Sequence, residues 1–97
     1  MNDATTTTAV KINDHLGRLE WMIADAKRDL VKAAEALAHR GMNAVKECEA
    51  MMADEPCSLM WVEFAEGELR NARETKARLN GLIEQQHMLK FLAKNDD

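Results

Sequence analysis

Apolar residues stand at Ile12, Leu16, Leu19, Ile23, Ala26, Leu30, Ala33 and Leu37, with spacings that alternate between four and three. That rhythm returns one residue to the same side of a helix at every turn and is the seam of a coiled coil. Gly41, Val45, Cys48 and Met52 carry the stripe onward at spacings of four, four, three and four. Over the whole run the repeat is about 3.6 residues per turn, that of a straight α-helix. The pattern predicts one long helix over residues 9–53. A second stripe runs through Val62, Ala65, Leu69, Ala72, Lys76, Leu79, Ile83 and Gln86, widened by Leu82, Leu89 and Leu92. It predicts a second long helix over residues 58–94.

Between the stripes lies Asp54-Glu55-Pro56. Acids suit a helix N-terminus and proline is tolerated there only in the first turn, so residues 54–57 read as a tight turn into the second helix. An alternative breaks the first helix at Arg40-Gly41, because glycine after a basic last turn is a common stop signal, and gives a three-helix bundle. Residues 1–8, with four consecutive threonines and no periodicity, read as a disordered tail, and residues 95–97 as a frayed end.

Composition agrees with helix. There is one proline and no tyrosine, while alanine and leucine, the strongest helix formers, supply 25 residues. No stretch alternates as a strand would. The fold expected is therefore all-α: a long antiparallel helical hairpin, coiled-coil-like. A hairpin buries one seam and leaves apolar surface over, so a homodimer forming a four-helix bundle is expected as well. Acid-before-base pairs four apart (Asp14 with Arg18, Glu66 with Arg70, Glu74 with Arg78) add a few tenths of a kcal/mol each and support helix rather than function.

Charge and candidate chemistry narrow the function classes. No apolar run reaches a membrane span and the first residues lack the pattern of a signal peptide, so the reading is cytoplasmic, with Cys48 and Cys57 as reduced thiols. His15, His39, His87 and the two cysteines show no metal-ligand spacing, and neither a metal nor a cofactor is expected. The isolated glycines make no phosphate loop, Ser58 is the only serine, and no nucleophile, base and orienter converge, which reads as a non-enzyme. The net charge is −4, against the basic excess usual in nucleic-acid binders.

That charge is segregated. Seven acids and no base lie between Glu47 and Glu68, whereas six bases against two acids lie between Arg70 and Lys94. Among the acids crowd Met42, Met51, Met52, Met60, Trp61 and Phe64, more apolar side chains than one seam needs. Methionine and tryptophan are adaptable, high-area contact residues, and an apolar spot rimmed by charge has the make-up of a binding hot spot. Met51, Glu55, Met60, Trp61, Glu63, Phe64 and Glu66 are therefore the candidate protein-binding residues. The competing account closes the bundle end with them; Met52 and Trp61 can be core, and Cys48, in the apolar stripe, reads as an ordinary small core residue. The function expected is non-catalytic: an acidic, Met-rich helical end docking on a basic site of a larger assembly, in the manner of small regulators or inhibitors carried by phages or other mobile elements. Two alternatives stand beside it, a nucleic-acid-associated hairpin dimer using the basic second helix and a structural subunit of a larger bundle.

Overall fold

The computed structural model describes the backbone of residues 3–95 and the side chains of residues 10–94. It is an antiparallel helical hairpin of two α-helices, α1 (Asp3–Met52) and α2 (Met60–Asn95). α1 passes through Gly41 without a break, so the three-helix arrangement is not the one adopted. α1 also includes the threonine run that reads as a tail. Each threonine costs only a few tenths of a kcal/mol relative to a better helix former, and extending a helix already nucleated is cheap. Met1, Asn2, Asp96 and Asp97 lie outside the described residues.

By packing, the chain divides into two compact units. One joins the start of α1, up to Lys27, to the part of α2 from Ala77 on; the other, the turn unit, is Arg28–Lys76. The first holds most of the fully buried side chains: Leu19, Ile23, Ala26, Leu79 and Leu82. In the turn unit only Ala33 is buried to that degree. Besides Asp29, Ala36, Gly41, Asn43, Ala50 and Val62, its half-buried residues include Leu30, Leu37, Arg40, Ala44 and Glu47 on α1, which with Ala33 run at spacings of three and four, and Trp61, Ala65, Glu68, Ala72 and Thr75 on α2, spaced likewise.

Those positions correct the stripes read from the sequence. Beyond Leu37 the seam keeps the strict alternation of three and four, through Arg40, Ala44 and Glu47; Gly41 is half-buried beside it, but Val45, Cys48 and Met52 are not part of it. Val45 is 56% exposed and Met52 80%, and Cys48 is exposed. On α2 the seam likewise takes Glu68 and Thr75 in place of Leu69 and Lys76. Two packed helices coil about each other and hold a 3.5-residue repeat, whereas the apolar pattern of the sequence follows the 3.6 of a straight helix and slides off the seam.

The connector, residues 53–59, is also assembled differently from the expectation. Asp54 and Glu55 do not start α2; they end α1. The N–H of Glu55 donates to the carbonyl of Ala50 at 2.8 Å and that of Asp54 to the carbonyl of Met51 at 3.0 Å, with Asp54 in the left-handed region at φ 60°. This is a Schellman cap with aspartate where glycine is usual, followed by the proline that often succeeds such a stop. A second left-handed residue, Leu59 at φ 56°, turns the chain into α2. The N–H of Met60 reaches Ser58 Oγ at 3.4 Å, and the N–H of Trp61 donates to the Glu47 carboxylate at 2.9 Å. One of the orphan donors at the start of α2 is thus satisfied by a side chain of α1, where a negative charge also complements the helix dipole.

Two outcomes follow from these caps. Asp54→Gly removes the penalty of an L-residue in the left-handed region, offset in part by the freer unfolded chain, and raises stability by about 0.5–1 kcal/mol; thermal melting at fixed concentration reads this as a rise of a few degrees. Glu47→Ala leaves the start of α2 uncapped and lowers stability by about 1–2 kcal/mol, with Glu47→Gln, which keeps an acceptor without the charge, falling between. A Glu47→Ala melt identical to that of the unaltered chain contradicts the capping role.

Candidate protein-binding site

The start of α2 brings four side chains of the turn unit into one cluster. Trp61 sits in the helix-helix seam, half-buried, its main chain fixed by Glu47. Its ring meets that of Phe64, one turn further along α2, edge to face with centroids 5.5 Å apart. On the α1 side His39 approaches the Trp61 ring edge-on at 6.3 Å. The Arg40 guanidinium lies 5.2 Å from the Trp61 centroid and 5.2 Å from that of Phe64. Arg40 also pairs with Glu68 across the helices at 3.9 Å. Each ring-ring or cation-ring contact of this kind contributes about 0.5–1.5 kcal/mol. The partly exposed ion pair at that distance adds less than about 1 kcal/mol.

The sequence pattern offers Arg40 only as a helix stop and His39 only as a metal-ligand candidate, and marks Glu47 only as one of the clustered acids. The signal was present nonetheless: continuing the alternation of three and four past Leu37 lands on Arg40, Ala44 and Glu47. A charged residue at a seam position calls for a partner that can use it. Trp61 is that partner, accepting the cation on its ring and offering its amide to the anion.

The residues named from the sequence are not all brought together. Phe64 and Met60 stay 42% and 48% exposed beside the tryptophan. Met51 is exposed on the last turn of α1, Glu55 in the connector, and Glu63 and Glu66 on α2. Met52 and Cys48, expected in the core, face solvent. An open groove of about 480 Å³ runs beside the connector, where Asn43, Lys46 and Glu47 of α1 face Pro56, Ser58 and Trp61. Trp21 is exposed in the other unit.

Among the described residues, no three His, Cys, Asp or Glu side chains gather as a metal site would need. No helix there is long and apolar enough to cross a membrane. Compared with known protein families, characterised proteins and solved structures, the chain matches none of them.

Proposed function

We propose that the chain is a non-catalytic protein-binding module, homodimeric and cytoplasmic, that docks the start of α2 on a basic site of a larger assembly and so acts as a small regulator or inhibitor. One observation carries this reading. Phe64 and Met60 remain exposed next to Trp61 although Arg40 and Glu47 hold that tryptophan in place. Held aromatics with open faces are favourable contacts, because little side-chain freedom is left to lose on binding. Glu63 and Glu66 flank Phe64 along α2 and Glu55 lies in the connector, in the stretch that has no base between Glu47 and Glu68. Such acids steer encounter with a basic partner, while the apolar residues hold the complex once formed.

Trp61 belongs to the seam, so its truncation would confound folding with binding. Met60 and Phe64 separate the two. The test is capture of partners from nuclease-treated lysate, by the unaltered chain and by Met60→Ala/Phe64→Ala. A discrete protein retained by the first and bound at least about 30-fold more weakly by the second, with a melting temperature only a few degrees lower, is the expected result. Equal recovery by both removes the cluster from the interface. Recovery that nuclease abolishes favours the basic stretch of α2 and a nucleic-acid partner.

A further inference from the structure

The residues displaced from the seam form a seam of their own. Val31, Ala34, Ala38, Gly41, Val45, Cys48 and Met52 follow one another at spacings of three and four along α1, all within the turn unit. No charged or strongly polar residue interrupts them. Gly41 is half-buried and the other six are exposed, Val31 and Val45 each at 56%. This is the pattern of a second coiled-coil face, three heptads and about 31 Å long, on a side of α1 that α2 does not cover.

We propose that two copies of the chain pair through this face, antiparallel, with the two-fold axis passing beside Gly41. The inference rests on the homodimer reading above and adds to it the face and the register. An antiparallel pairing centred there sets Ala34 against the partner's Cys48 and, within one residue, Val31 against its Met52 and Ala38 against its Val45, so every stripe residue meets an apolar or small one. Charge selects the direction. Lys32, Glu35, Lys46 and Glu49 lie beyond one edge of the stripe. In the antiparallel register Glu35 comes level, within one residue, with Lys46 of the other copy, and Lys32 with its Glu49. A parallel pair would instead set this edge against the opposite edge of the other copy, and these complementary charges would not meet.

Gly41 gives the centre. A Cβ built on it would meet nothing within 4 Å, as is true of Gly17, Gly67 and Gly81 too, so the hairpin itself does not require glycine there; what marks Gly41 is its place at the middle of the stripe. Two α1 helices crossing closely at the axis do need a small residue there. The face also lies apart from the exposed side of Phe64, so both copies keep their aromatic cluster open.

Cysteine cross-linking tests the register on the full chain. In a Cys57→Ser background, Ala34→Cys leaves thiols at 34 and 48, which lie about 21 Å apart along one helix and cannot join within a chain. Mild oxidation should give a covalent dimer whose peptides link 34 of one copy to 48 of the other. Links of 34 to 34 or 48 to 48 would mean a parallel pair and overturn the proposal. Light scattering supplies the second measurement. The chain should be dimeric at micromolar concentration, and Val45→Glu, a change at an exposed position, should weaken dimerisation at least tenfold while leaving helical content unaltered. A dimer indifferent to Val45→Glu defeats this face but keeps the homodimer; a monomeric unaltered chain defeats both.

Discussion

The contact between the Glu47 carboxylate and the Trp61 amide sets the rest of the turn unit. It fixes which residue of α2 stands opposite which residue of α1, because the donor belongs to the backbone and cannot slide without losing its acceptor. With that pairing set, Arg40 falls beside the Trp61 and Phe64 rings and within reach of Glu68, and the seam keeps its 3.5-residue repeat. The apolar residues one position further on are consequently turned outward. A polar interaction decides here what the hydrophobic pattern alone would have placed elsewhere.

The two units are held by different means. Where Leu19, Ile23, Leu79 and Leu82 are buried, ordinary apolar packing suffices. In the turn unit small alanines and half-buried polar residues replace them, and rings, a guanidinium and a carboxylate do the joining. Directional contacts of this sort tolerate less displacement than leucine packing, so the turn unit combines a thin core with a specific register. That combination is what presents Phe64 and Met60 in a defined place without a large hydrophobic interior behind them.

Much of this was legible in the sequence. The regular recurrence from Ile12 to Leu37 and the scarcity of β-formers sufficed for two long helices, and the exposed, acid-rimmed methionines and Phe64 stood out from composition. Beyond Leu37 hydrophobicity and rhythm part company: Val45 and Met52 look like core, whereas Arg40 and Glu47 do not, although Trp61 uses both. The connector was misread for a related reason. An acid pair before proline suits the start of a helix by charge, yet Asp54 accepts a left-handed backbone and closes the preceding helix instead. Sequence shows which groups are present at a helix end; which helix they finish depends on hydrogen bonds several residues away.

The connector's hydrogen bonds fall into two sets that do not overlap. Those of Ala53, Asp54 and Glu55 reach back into α1, and those at Ser58, Leu59 and Met60 reach forward into α2, with the peptide between Pro56 and Cys57 belonging to neither. Covalent continuity at that point holds the two helices at high effective concentration. Recognition between α1 and α2 resides in Glu47, Arg40 and the rings they hold. A chain opened between Pro56 and Cys57, or lengthened there by a flexible insert, retains the instructions for reassembling the same hairpin, which makes that bond the natural place to split or permute the molecule.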